Sequence, residues 1–234
     1  MADPAGYRRA APGTQPAYLH PAYQSTVKRS PSQALIKLPH TLTEVTGPVF
    51  GHDSVKPGDA DLTKQAKGEP IGERIIVGGR ILDEDGRPVA GTLVELWQCN
   101  ATGRYNHDAD QHDAPLDPNF IGAGRAVTDA EGKYQFTTIK PGAYPWRNHH
   151  NGWRPAHLHF SVFGPSMLQR LVTQMYFPGD PLLPLDPIFN SIPDARARDR
   201  MVSSFELERT VPEFALGYRF DMVLRGRDAT PMVG

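Results

Sequence analysis

Arg74-Ile75-Ile76-Val77-Gly78-Gly79-Arg80-Ile81-Leu82, followed by Asp85-Gly86 and then by Thr92-Leu93-Val94-Glu95-Leu96-Trp97-Gln98, decides the fold class. Two apolar, partly β-branched runs flank an Asp-Gly pair, and the pattern reads as a β-hairpin. The same grammar recurs downstream. Residues 125–128, the turn Asp129-Ala130-Glu131-Gly132 and residues 134–139 read as a second hairpin. Further strands are expected at 156–163, 171–177 and 218–224, the last with Tyr218, Phe220, Met222 and Leu224 on one face at period two. One helix is expected, from Asp194 as its cap to about Leu207. Many short strands punctuated by turns predict an all-β fold, an antiparallel β-sandwich with long loops, over residues 71–234. The composition agrees: 22 Gly and 23 Pro in 234 residues are well above the average of about 12% for the two together. No repeat of fixed period is visible.

Residues 1–70 read differently. They are rich in Pro, Ala, Ser and Thr and lack periodicity, which predicts an extended N-terminal arm. Ser30-Pro31-Ser32-Gln33 ahead of Ala34-Leu35-Ile36 reads as a helix start, with a Ser cap and Pro at the first helical position. Tyr18 and Tyr23 suit an arm packed on a partner chain. With 25 basic and 26 acidic residues the net charge is −1, so no field draws nucleic acid or anionic lipid. No apolar run reaches bilayer-spanning length, and no apolar stretch follows Arg8 and Arg9 as a secretory signal requires. A cytoplasmic location is expected. The single cysteine, Cys99, can build neither a disulfide framework nor a zinc cage and reads as a small buried hydrophobe.

The most informative short motif is Arg154-Pro155-Ala156-His157-Leu158-His159-Phe160. On a strand, His157 and His159 share a face, roughly 6.5–7 Å apart at ~3.3 Å per residue, while Leu158, Phe160 and Val162 face the core. Two imidazoles so placed can converge on one metal ion, or can simply decorate a polar sheet face. The remaining seven of nine histidines lack ligand spacing, and the adjacent His149-His150 read as solvated. Two chemistries stay open for a metal. One is a ferrous site completed by a carboxylate. The other is a hard ferric ion, which can displace the phenolic proton of a tyrosine whose unperturbed pKa is about 10. The segment Gly142-Ala143-Tyr144-Pro145-Trp146-Arg147 just upstream supplies aromatics, not acids.

Gly103-Arg104-Tyr105-Asn106-His107, Lys140-Pro141-Gly142-Ala143-Tyr144-Pro145-Trp146 and Trp153-Arg154-Pro155-Ala156-His157-Leu158-His159 together resemble the ligand-bearing segments of the intradiol catechol dioxygenases, in order and in loop length. The resemblance runs from about Pro16 to Arg227. It includes Ile71-Gly72-Glu73-Arg74, Pro115-Leu116-Asp117-Pro118-Asn119-Phe120, Phe177-Pro178-Gly179-Asp180-Pro181 and Tyr218-Arg219-Phe220-Asp221. It implies a non-haem Fe(III) enzyme that opens a catechol between its two hydroxyls with O2. Within the family it is strongest to the iron-bearing chain of the protocatechuate-cleaving members, whose product is 3-carboxy-cis,cis-muconate. By that resemblance Tyr105 and His159 are equatorial iron ligands, and Tyr144 and His157 axial ones. Tyr144 and Arg154 are catalytic, and Tyr23, Arg29, Trp146, Arg154, Gln174 and Ile188 line or support the substrate pocket. The partner implied is an alpha chain in a symmetric alpha-beta hetero-oligomer. A family member acting on catechol or hydroxyquinol, an iron-free partner subunit, and a transthyretin-like β-sandwich with structural zinc or no metal are the rival readings.

Overall fold

The structure, a computed structural model, describes residues 9–36, 52–164 and 170–233. The rest of the expected N-terminal arm lies outside the described residues. Eleven strands are present among them: β1 (Arg74–Leu82), β2 (Leu93–Trp97), β3 (Ala123–Val127), β4 (Lys133–Ile139), β5 (Tyr144–Pro145), β6 (Trp153–Arg154), β7 (His157–Phe163), β8 (Arg170–Tyr176), β9 (Ser204–Phe205), β10 (Leu216–Arg219) and β11 (Met222–Val223). One sheet has β1 at its centre, flanked by β4 on one side and by β10 and β11 on the other, with β9 beyond β10. The other runs β3-β2-β7-β8.

The inner faces of both sheets bury one core. Ile75, Val77, Ile81, Tyr134 and Phe136 come from the first sheet; Val94, Leu96, Leu158, Phe160 and Val162 come from the second. Phe160 meets Tyr134 at 5.8 Å and Phe136 at 6.3 Å between ring centroids, so side chains interlock across the layer. This is the sandwich expected from the strand grammar.

Both hairpin readings need correction. β1 pairs with β4, and β2 pairs with β3 and β7, so each expected hairpin crosses from one sheet to the other as an arch. The Asp85-Gly86 turn does form: Asp83 N–H donates to Arg87 O and Gly86 N–H to Asp83 O. It redirects the chain across the core because both flanking strands carry apolar inner faces that bury against each other. The first sheet is also mixed, not antiparallel throughout, because β10 and β11 run parallel to β1 in one continuous register. Residues 218–224 keep their period-two core face but form two strands, not one. Between them Phe220 swings its carbonyl to Gly79, where an added Cβ would stand 2.0 Å away.

Residues 59–64 lace the open edges of the two sheets together. Arg125 N–H donates to Asp59 O, Thr137 N–H to Ala60 O, and Leu62 is wholly buried in the core. Free strand edges are thereby covered.

The helices are short: α1 (Gln24–Arg29), α2 (Pro187–Asn190) and α3 (Ala195–Asp199). The helix expected to begin at Ser30 instead ends there. Ser30 takes ψ 142°, the extended conformation that a following proline imposes. Asp194 caps α3 as expected, accepting from Ala197 N–H, yet the helix stops at Asp199 rather than near Leu207. There Met201 O and Ser203 N–H bond to the backbone of Tyr176, and this pairing with the end of β8 outweighs local propensity. The described part of the arm docks on its own chain: Ala17 N–H donates to Ser191 O, and Asp194 N–H to Gly13 O.

Candidate metal centre

β7 lies between β2 and β8, and its outward face carries His157 and His159. Their inward neighbours Leu158 and Phe160 are fully buried in the core, which locks the strand register and hence the direction of both imidazoles. Two loops bring phenols over this face. Asp110 accepts from Tyr105 N–H at 2.7 Å and fixes the first loop. The second loop pairs Tyr144 in β5 with Arg154 in β6. Gly103 sits at φ +82 where a Cβ would meet Ala143 O at 2.2 Å, so only glycine lets the two loops touch.

Four donor atoms converge there. The Tyr105 hydroxyl lies 3.1 Å from His159 Nε2 and the Tyr144 hydroxyl 3.4 Å from His157 Nε2. The Tyr105 and Tyr144 rings are 5.5 Å apart, and the two imidazoles 4.9 Å. His157 Nδ1–H donates to Pro155 O at 2.7 Å, which leaves its Nε2 without a proton, as an acceptor. Metal–N and metal–O bonds of ~2.0–2.2 Å at mutual angles of ~90–110° place two ligands ~2.9–3.5 Å apart, the spacing of these donors. The residues therefore fit a single ion with two imidazole and two phenolate ligands. The carboxylate alternative finds no third ligand: among the described residues no group of three His, Cys, Asp or Glu could hold a metal.

Electrostatics separate the four. Burial, then the charge of Arg154, pushes the His159 imidazole down to about 3 and the His157 imidazole well below its ordinary range, so both are neutral donors. Burial lifts both phenols. Tyr105 stands well above the usual value, with Tyr144 adding to the rise. For Tyr144 the rise is opposed by Arg154, whose Nη1 stands 3.5 Å from its oxygen; the same charge is the smallest of the influences on Tyr105.

Arg154 is 2% exposed and shares out its donors. Nε and Nη2 bind Asp186 Oδ2 at 2.9 and 2.8 Å; Nη2 also reaches Gln174 Oε1 at 2.7 Å and the Tyr176 hydroxyl at 3.0 Å. Nη1 points the other way, to His157 Nε2 at 3.1 Å and the Tyr144 oxygen at 3.5 Å. Burial alone would make the guanidinium easier to deprotonate; Tyr176 and Asp186 outweigh it and the charge is kept.

The other expected pocket residues form a ladder running out from Arg154. Its guanidinium lies over Trp146 at 5.2 Å, Trp146 meets Tyr23 at 5.3 Å, and Arg29 lies over Tyr23 at 4.8 Å. Ile188 is buried in a cluster against which Tyr23 and Trp146 pack. Gln174 is buried and spends its carbonyl on Arg154 and Tyr176. The reading of His149 as solvated is corrected. His149 is 4% exposed, its ring 5.8 Å from Trp146, whereas His150 is exposed. The chain turns at Asn148, which caps α1 by accepting from Gln24 and Ser25 N–H, and this draws the next side chain inward.

Three supporting residues went unread. Asp186 anchors Arg154 and also caps α2 through Ile188 and Phe189 N–H; Asp186-Pro187 carries the cap-plus-proline signature that could have exposed it. Tyr176 is two residues from Gln174 on the same strand face. Trp97 stacks on His159, and only the register of β2 against β7 reveals that.

Comparison with known proteins places the chain. Residues 45–226 match the family model described as Dioxygenase, and residues 7–41 match that described as Protocatechuate 3,4-dioxygenase beta subunit N terminal. The protocatechuate 3,4-dioxygenase beta chain of Burkholderia cepacia is 63% identical over 221 residues, 94% of each chain. The catechol 1,2-dioxygenase of Candida albicans is 34% identical over 151 residues, 58% of this chain and 47% of that one. Among solved structures, catechol 1,2-dioxygenase from Pseudomonas arvilla C-1 aligns with a TM-score of 0.54 at 25% identity, over 71% of this chain and 56% of that chain. The sandwich, the two-tyrosine, two-histidine cluster and these likenesses agree: the chain belongs to the intradiol ring-cleaving dioxygenases, among the protocatechuate 3,4-dioxygenase beta chains.

Proposed function

We propose that the chain cleaves protocatechuate with O2 between the carbons bearing the 3- and 4-hydroxyls, giving 3-carboxy-cis,cis-muconate, at a non-haem Fe(III) site. The observation that carries this reading is the convergence of Tyr105, Tyr144, His157 and His159 donor atoms at 3.1–3.4 Å, with no carboxylate among them. These four would hold the ion. Bound ferric iron supplies Lewis acidity, lowering the substrate hydroxyl pKa values and drawing electron density from the ring.

The chain's own groups do the rest. Tyr144 is the phenol with a cation at hand, so its oxygen can take a proton from the incoming catechol while Arg154 Nη1 remains 3.5 Å away. That same Nη1, aimed at the ligand set, favours negative charge building on the ring. Tyr23, Arg29, Trp146 and Ile188 wall the approach, and Gln174 holds Arg154 in place. Buried strands, not mobile loops, carry both histidines, which keeps the site rigid.

The partner is an alpha chain in a symmetric alpha-beta hetero-oligomer. Support comes from residues 9–36 of the arm, which turn Tyr18 (67% exposed), Val27 (60%) and Ile36 (86%) outward, whereas residues 59–64 belong to the sandwich through the buried Leu62. A cytoplasmic setting goes with this reading; among the described residues no helix is long and apolar enough to cross a membrane.

The deciding experiment is O2 uptake with protocatechuate, catechol and hydroxyquinol after co-expression with an alpha chain, iron being quantified in the same sample. Protocatechuate turnover with one iron per chain and a reddish phenolate-to-iron colour is expected; a colourless, iron-replete protein sinks tyrosinate ligation. Tyr144→Phe is expected to retain iron and to slow turnover by about a hundredfold, the usual weight of a positioned proton acceptor. Wild-type substrate binding in stopped-flow traces of that variant would remove Tyr144 from proton transfer.

A further inference from the structure

We propose that Trp97 is the positioning residue for His159, its indole clamping the imidazole plane so that Nε2 faces the position shared with Tyr105; the proposal rests on the ferric reading above. The two imidazoles are held by different means. His157 is tied through Nδ1–H to Pro155 O. Among the described residues His159 has a hydrogen bond only at Nε2, to Tyr105. A ring with one anchored nitrogen can still swivel about its side-chain torsions, and a ligating histidine ordinarily donates its second nitrogen to a fixed acceptor.

Trp97 supplies the missing restraint. β2 pairs with β7 so that Trp97 lies directly opposite His159, and the two rings stack 5.0 Å apart at 9°, nearly parallel. Such an offset pair resists ring rotation through dispersion contact over the whole face. His159 meets His157 at 69° and Tyr105 at 56°, tilted contacts that do not fix its plane. Trp97 also lines a groove of 520 Å³ on the outer sheet face, with Glu95, Arg125 and Arg170. The indole thus stands between that groove and the ligand set, and its loss would open the His159 ring to water.

The test uses the iron-loaded protein co-expressed with its alpha chain and compares wild type with Trp97→Phe and Trp97→Leu. Two readouts are taken, the phenolate-to-iron absorption band and the rate of iron transfer to an external chelator. W97L is expected to shift and weaken the band and to release iron about tenfold faster, the factor set by a lost aromatic stack. W97F, which keeps a ring, is expected to stay within about twofold of wild type on the same grounds. Trp97→Met fills volume without a ring and gives the same reading should the leucine variant not fold. Wild-type band and release rate in W97L, or equal damage in W97F and W97L, overturns the clamp alone. A wild-type protein that binds iron without any such band overturns the ferric reading itself.

Discussion

Arg154→Ala is expected to destabilise the protein by about 3–5 kcal/mol, the cost of breaking a buried ion pair from one side, and to abolish most activity. Asp186 is wholly buried; without the guanidinium, its Oδ2 loses both donors, at 2.8 and 2.9 Å. Its Oδ1 still accepts from Ile188 and Phe189 N–H, so the strain passes into α2 and the cluster around Ile188. For a chain of this size each kcal/mol lowers Tm by roughly 2–4 °C, which puts the expected drop at roughly 6–20 °C. Turnover should fall by about 10²–10³, as when one preorganised donor is lost. The double variant Arg154→Met with Asp186→Leu separates the two effects. Replacing both charges by apolar groups of similar bulk is often near neutral for stability, so Tm should recover except for the lost α2 cap, about 1 kcal/mol, while activity stays lost. A single alanine variant with unchanged Tm would mean that Asp186 is satisfied by other groups.

The contrast between what could and could not be read from the sequence follows the range of the interactions. Leu158, Phe160 and Val162 alternate with His157 and His159, and that two-residue period is set by the backbone, so both the core face and the ligand face of β7 were visible. The convergence of Tyr105 and Tyr144 on that face came from resemblance in ordered motifs, because no spacing rule joins residues 54 and 13 positions away from their histidine partners. The arches were missed because an Asp-Gly turn dictates reversal of the chain but not which sheet receives it; burial of two apolar faces decides that. The α3 stop and the Trp97–His159 stack depend on pairing with β8 and β2 respectively, contacts absent from any local window. Asp186 shows the limit most clearly. Its capping role was readable from Pro187, while its ion pair with Arg154 joins residues 32 apart.

Metal-free protein is expected to lose stability as pH falls from about 6.5 towards 3, and the two ligating histidines set the window. In the unfolded chain an imidazole titrates near 6.5. In the fold, burial and then Arg154 push His159 down to about 3 and His157 well below its ordinary range. Between these values the unfolded state binds protons that the folded state refuses, so acid favours unfolding; above about 6.5 both states hold neutral rings and the effect vanishes. At 1.36 kcal/mol per pKa unit, lowering the pH from 7 to 4.5 would cost about 2–3 kcal/mol from His159 if it were fully shielded. His159 keeps some exposure, which trims this, and His157, 1% exposed, adds in the same direction. Urea unfolding of the chelator-treated protein at pH 7 and 4.5 measures the sum. The double variant His157→Gln with His159→Gln removes both titrating rings and should flatten that part of the slope, leaving the carboxylates to account for what remains. An unchanged slope in the double variant would mean that both histidines accept protons as readily in the fold as in the unfolded chain, against the burial and the Arg154 charge that hold them neutral.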